Sequence, residues 1–262
     1  MLAIRSILFT AFFMSFTAYS LVMMAMCAPF PRPAIHWVVG CWARTLVFAL
    51  KWTVGLQFEV KGREFIVDGA AIYAAKHQSA WDTFIYFLIF KNPSYVLKKE
   101  LHRIPLWGLV AKKYGAISVD RSGGASSLKQ LINDTKDRLK HNYSVMIFPE
   151  GTRSTPGRKL PYHPGIAAMY GATDVPVIPV AVNSGLFWGR RSFIKRPGVI
   201  TIEFLPPIEQ GLKRRDFMEK LESTVEVTSD QLVSEAALKF PETKVAIVEA
   251  DSAEAVHGFL MM

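Results

Sequence analysis

The chain has 262 residues, half of them hydrophobic, and a net charge of +9, so it can bury one sizeable core and present a basic surface. Such a surface fits phosphate-bearing partners, either nucleic acid or anionic lipid. The two cysteines, Cys27 and Cys41, sit in apolar N-terminal segments without metal-ligand spacing, which excludes a secreted disulfide framework and leaves both as reduced packing residues.

From Ser6 to Ala28 there are 23 residues without a charge. At 1.5 Å per residue this is about 34 Å of helix, enough to cross a hydrocarbon core and too long for a cleaved signal peptide. Pro29, Pro31 and Pro33 then break the helix. A second apolar run from Trp37 to Leu56 is interrupted only by Arg44 and Lys51, which are seven apart and share a side, with Trp37, Trp42 and Trp52 close by. A narrow cationic strip on a Trp-rich helix suits a headgroup interface. Residues 1–60 therefore read as a membrane-anchoring helical hairpin. Arg32, Arg44, Lys51, Lys61 and Arg63 follow the first segment, and the positive-inside bias places the body of the protein on the cytoplasmic side of the inner membrane.

Residues 61–240 alternate strand-like and helix-like runs, which predicts an α/β domain with a mixed, largely parallel sheet flanked by helices. Strands are expected at Ala70–Ala75, Tyr95–Leu97, Gly115–Val119, Ser144–Phe148, Val177–Val182 and Val199–Phe204. Helices are expected after Asp82, near Leu106–Lys113, over Ser126–Lys140, and from Phe217 to about Lys239 behind an Asp216-x-x-Glu219 cap. Residues 241–262 read as a C-terminal tail.

The stretch Lys76-His77-Gln78-Ser79-Ala80-Trp81-Asp82 joins a strand to a helix. Helical positions five apart diverge by roughly 140°, so His77 and Asp82 can share a site only if His77 precedes the helix and Asp82 lies in its first turn. Two readings follow. Ser79 and Asp82 form a capping box with a histidine nearby, or Asp82 orients one imidazole nitrogen and leaves the other to take a proton from a hydroxyl.

Two further strand runs end in polar clusters, at Asp120-Arg121 and at Pro149-Glu150-Gly151-Thr152-Arg153-Ser154. In open α/β sheets such clusters line one crevice at the carboxyl edge. Arg121 and Arg153 offer planar forks suited to phosphate, Glu150 can accept from a hydroxyl, and Gly151 permits a tight turn. Alternatively, Arg121 pairs with Asp120, and Glu150 with Arg153 forms a solvated loop pair. No G-x-S-x-G elbow, P-loop, H-E-x-x-H or paired-cysteine site is present, so no covalent nucleophile, metal or nucleoside triphosphate is indicated. The available parts are a base, its orienting acid and cationic groups, which serve direct attack by a substrate hydroxyl on an activated carbonyl.

These stretches resemble the lysophosphatidic acid acyltransferases of the glycerolipid acyltransferase superfamily. The family's H-x-x-x-x-D is matched by His77 and Asp82, its second motif resembles Gly115–Arg121, its third is matched by Phe148–Ser154, and its fourth is similar to Val175–Val182. The resemblance covers about Val67–Val182 and extends to the N-terminal hairpin. It implies transfer of a fatty acyl group from acyl-CoA or acyl carrier protein to the free hydroxyl of lysophosphatidic acid, giving phosphatidic acid. By that likeness His77 is the general base and Asp82 orients it, while Arg121, Glu150, Gly151 and Arg153 bind the glycerol phosphate. No cofactor beyond the donor is implied. Lys98 and Lys99 are either secondary phosphate contacts or a solvated basic turn. The first motif often begins N-H, and here Lys76 stands before His77. Membrane phospholipid is expected as a partner and, with no recognised binding module, nucleic acid is not. Another lysophospholipid or glycerol 3-phosphate as acceptor, or a silent lipid-binding scaffold, are the alternatives.

Overall fold

A computed structural model describes residues 1–243. Seven strands form one sheet: β1 (Leu56–Lys61), β2 (Ala71–Ala75), β3 (Pro93–Lys98), β4 (Ile117–Val119), β5 (Ser144–Ile147), β6 (Val177–Val182) and β7 (Gly198–Phe204). Their order across the sheet is β1-β7-β6-β2-β5-β3-β4. All neighbours run parallel except β6 and β7. Among the described residues the α-helices are α1 (Leu2–Met26), α2 (Arg32–Thr53), α3 (Asp82–Ile89), α4 (Trp107–Tyr114), α5 (Gly124–Lys140), α6 (Gly165–Ala172) and α7 (Arg214–Lys239). The expected mixed, largely parallel α/β sheet is thus present.

Alternation of side chains along the buried strands divides the core into two layers. On β2, Tyr73 and Ala75 pack with residues of α1, α2, α3 and α4, whereas Ile72 and Ala74 pack with residues of α5, α6 and α7. Because β2, β5, β3 and β4 are mutually parallel, their carboxyl ends share one edge. His77, Phe148 and Arg121 all leave from that edge.

The two N-terminal helices are long and apolar enough to cross a membrane. They pack on each other and on the domain through Phe9, Ile35, Val39 and Leu46, each worth about 1.5–3 kcal/mol when fully buried. Ile4, Leu8, Met14, Trp37, Phe48 and Trp52 remain exposed on the opposite faces, together with Arg44 and Lys51. Trp42 departs from the expected headgroup strip. Five residues from Trp37 it projects to the other side of the helix, where it is buried against Phe84 and donates its indole N–H to Thr17 Oγ1 at 3.1 Å.

Other boundaries differ from expectation for local reasons. The apolar run thought to continue through Leu56 ends at Thr53, where Gly55 (φ +82°) takes the left-handed conformation that closes helices. Residues 56–60, expected in the hairpin segment, consequently belong to the sheet as β1. Helix α6 was not expected, since its short apolar run between glycines carries no amphipathic signal. Helix α7 begins at Arg214 behind Lys213 without a side-chain cap, and Asp216 lies in its first turn instead of capping it. Of the expected tail, Pro241–Thr243 form a single turn, and residues 244–262 lie outside the described residues.

Candidate active site

His77 follows β2 and Asp82 opens α3, so the imidazole and the carboxylate meet across the corner between them. Asp82 Oδ2 lies 3.0 Å from His77 Nδ1 and accepts the backbone N–H groups of Gln78 at 2.7 Å and Ser79 at 2.8 Å. Ser79 Oγ in turn accepts the Trp81 N–H at 3.1 Å. The expected capping box is not formed as such, since α3 starts at Asp82 behind Trp81 without a side-chain cap; the carboxylate that accepts the two N–H groups ahead of the helix is the one that meets the imidazole. Because Oδ2 can only accept, the neutral imidazole that fits this contact is the tautomer with its proton on Nδ1 and a lone pair on Nε2. The Asp82 side chain is fully buried, whereas His77 retains 13% exposure.

The loop after β5 grips His77 from three directions. The Phe148 ring stacks on the imidazole with centroids 4.1 Å apart. Glu150 Oε2 accepts the His77 N–H at 3.1 Å, and the His77 carbonyl accepts the Ser154 N–H at 2.8 Å and its hydroxyl at 3.1 Å. Parallel pairing of β2 with β5 brings the two segments together.

Glu150 consequently stands behind the site and not in it. Its carboxylate is fully buried, with Oε1 accepting from Lys76 Nζ at 2.8 Å. Neither expectation for it, contact with the glycerol phosphate or a solvated pair with Arg153, matches this placement. A carboxylate turned toward a phosphate would repel it, and here it is turned toward an ammonium. Burial pushes the Glu150 carboxyl up, and the Lys76 ammonium opposes that shift.

Gly151 (φ +66°) turns the loop so that its backbone passes under Arg121, whose guanidinium carbon would lie 2.7 Å from a β-carbon there. Arg121 does not pair with Asp120. That carboxylate is taken by Lys99, the Ser122 hydroxyl at 2.7 Å and the Ser122 N–H at 3.0 Å, and the Lys99 bond first and the Ser122 bonds next bring it down to about 2. Lys99 is thereby committed, while Lys98 reaches the cavity wall. Arg153 is half-buried, and burial followed by the nearby charges of Arg190 and Arg191 lowers its affinity for its proton. Arg190 donates to the Arg153 carbonyl at 3.0 Å. A guanidinium stays charged under such pressure, so like charges gathered at one place favour an anion.

His77, Arg121, Gly151 and Arg153 all line one cavity of about 420 Å³. Most of the remaining wall is apolar and comes from other elements: Leu21 and Met24 of α1, Val39 and Trp42 of α2, Tyr95 of β3 and Val110 of α4. A cationic, histidine-bearing part is thus continuous with an apolar part roofed by the N-terminal hairpin. Sequence reasoning missed Lys76 and Glu226 as partners of the site and passed over Arg190-Arg191. For the latter, a basic pair behind a glycine in an apolar stretch was the available signal.

Residues 57–183 match the family model described as Acyltransferase. The chain is 34% identical to the 1-acyl-sn-glycerol-3-phosphate acyltransferase of Pseudomonas aeruginosa over 67% of its own length and 68% of that protein's. It is 34% identical to the protein of the same name from Cocos nucifera, over 61% of the chain but only 52% of that relative. With the Escherichia coli K12 protein of that name it shares 29% identity over 68% of the chain and 73% of the relative. The crystal structure of the 1-acyl-sn-glycerophosphate (LPA) acyltransferase of Thermotoga maritima superimposes with a TM-score of 0.71 at 19% identity, covering 88% of this chain and 98% of that one, which establishes the shared fold. The chain belongs to the 1-acyl-sn-glycerol-3-phosphate acyltransferase family.

Proposed function

We propose that this acyltransferase moves a fatty acyl group from an acyl thioester to the free hydroxyl of lysophosphatidic acid, with His77 as general base. The observation that carries the reading is the single cavity in which an imidazole held by a carboxylate, two guanidinium groups and an apolar wall meet. Each part matches one portion of the substrates: the arginines the phosphate, the imidazole the hydroxyl, and the apolar wall the acyl chain.

Chemically, Nε2 of His77 takes the proton of the acceptor hydroxyl as its oxygen attacks the thioester carbonyl. Asp82 stabilises the imidazolium that forms. The tetrahedral intermediate then expels the thiolate, which recovers the proton from His77, so base and acid are the same group and the histidine ends neutral. Arg121 and Arg153 fix the acceptor by its phosphate, which converts the attack into an intramolecular step. The thioester carries its own activation, and acyl-CoA and acyl carrier protein both supply it. The exposed apolar faces of α1 and α2, with Arg44 and Lys51 among them, support a reading in which the cavity opens beside the bilayer that supplies the lysophospholipid. The basic residues after α1 favour the cytoplasmic face of the inner membrane.

Purified protein in detergent, supplied with acyl-CoA or acyl carrier protein donors and with lysophosphatidic acid, a lysophosphodiester or glycerol 3-phosphate, tests the reading. The expected result is thiol release matched by phosphatidic acid and selective for lysophosphatidic acid. Preference for another acceptor, or no transfer from any donor, overturns it.

A further inference from the structure

Beneath the site lies a buried ionic cluster that the transfer chemistry does not itself use. Lys76 Nζ donates to Glu150 Oε1 at 2.8 Å, to Glu226 Oε1 and Oε2 at 2.8 and 2.7 Å, and to the Arg158 carbonyl at 3.1 Å. The Tyr162 hydroxyl donates to Glu226 Oε1 at 3.0 Å. None of the three charged side chains is more than 2% exposed. The members come from the end of β2, the loop after β5, the segment leading to α6 and the middle of α7. A cluster of this kind is an expensive way to fill a core, since apolar residues of equal volume pack as well or better. Its position gives it a purpose: the Glu150 oxygen that Lys76 leaves free is the one that accepts the His77 N–H.

We propose that Lys76 is a positioning residue for His77, acting through Glu150: the ammonium, held on α7 by Glu226, keeps Glu150 a buried anion, and that anion fixes the backbone from which the imidazole projects. The proposal rests on His77 being the base. Charge matters because an ionised acceptor makes the stronger and shorter bond to a backbone N–H, and because burial alone would drive Glu150 to protonate. The groups facing Glu150 are Lys76, the His77 N–H and Ser154, with Glu226 and Tyr162 beyond the ammonium and Glu222 one turn earlier on α7. Lys76 supplies the positive charge among these. It occupies the place directly before the histidine, so this chain builds from an ionic network what a neutral side chain there could provide only by local hydrogen bonding.

The test removes the ammonium together with the carboxylate that holds it on α7, so that Glu150 is the one carboxylate of the cluster left to ionise. Lys76→Met/Glu226→Met keeps volume and removes one charge of each sign. Its kcat at neutral pH is expected to fall about 10- to 100-fold, as for a misplacement of roughly 1 Å, with both KM values within about threefold. Glu150 then titrates upward without its ammonium, so part of the lost kcat returns as pH rises. Glu150→Gln is expected to lose a similar factor with no alkaline recovery, because an amide cannot ionise. A merely structural role for Lys76 would lower activity equally at every pH.

Wild-type kcat and pH profile in the folded double variant overturn the proposal. If the double variant does not fold, Glu150→Gln decides, and wild-type kcat there overturns it equally. An inactive His77→Ala beside a fully active double variant removes only the role of Lys76, whereas an active His77→Ala removes the base and this role with it.

Discussion

The guanidinium of Arg121 lies on the backbone of Gly151, so near that a β-carbon at position 151 would stand 2.7 Å from its Cζ. The glycine is also left-handed, at φ +66°. Gly151→Ala therefore meets two obstacles, a backbone cost of about 1–2 kcal/mol and displacement of the arginine. The acceptor KM is expected to rise at least about tenfold, with a smaller change in kcat, because the phosphate contact is lost in ground and transition state alike. Steady-state kinetics against lysophosphatidic acid checks this, and an unchanged KM in folded protein would remove Arg121 from the acceptor site.

In the proposed reaction Asp82 has two jobs, which substitution separates. The amide of Asp82→Asn can still accept the Gln78 and Ser79 N–H groups, so loss of stability should not exceed that of a weakened helix cap, about 1 kcal/mol. It can no longer stabilise the imidazolium, and kcat is expected to fall by about 10²–10⁴. Comparing the thermal midpoint with kcat in one preparation distinguishes a catalytic from a purely structural carboxylate.

Ala111 of α4 is buried in the apolar wall of the cavity. Ala111→Phe fills that part of the space and is expected to shift donor preference toward shorter acyl chains while leaving the acceptor KM within about threefold. A mixture of donors of different length, with products resolved by mass, reads the shift directly. An unchanged product distribution would mean that the acyl chain lies elsewhere.

The partly exposed pair of Asp120 with Lys99 gives a signed pH effect. The carboxyl is held down at about 2 in the folded chain, by Lys99 first and Ser122 next, below its ordinary value of 3.8. A depressed carboxylate stabilises the fold above its unfolded pKa, and that contribution is lost as pH falls from about 4 through about 2. Asp120→Asn should therefore lower the melting temperature modestly at pH 7, less in high salt because the pair is partly exposed, and only slightly by pH 2. Melting curves at pH 7, 4 and 2 follow the convergence.

The relative placement of His77 and Asp82 was legible because, if the two share a site, helix geometry requires that the histidine precede the turn and the aspartate begin it; the choice of that reading over a plain helix cap came from the other motifs. The three strand-end clusters were legible because each interrupts an apolar run. Glu150 was not: its chemistry fits a phosphate site or a salt bridge equally, and the partner that settles its orientation, Lys76, is itself held by Glu226, 150 residues farther along the chain. Asp120 and Lys99, each just past the end of one of two neighbouring parallel strands, met for the same reason, because register across β3 and β4 is tertiary information. Trp42 shows the reverse case, since its angle from Trp37 was available from spacing and already assigned it to the inner face.

The most direct measurement is the single-turnover rate of phosphatidic acid formation at saturating acyl thioester and lysophosphatidic acid, wild type against His77→Ala. With the imidazole as the base, the rate falls by about 10²–10⁴ while both substrates still bind and the protein melts near the wild-type temperature. A folded His77→Ala that transfers acyl groups within about threefold of the wild-type rate would contradict the assignment of His77.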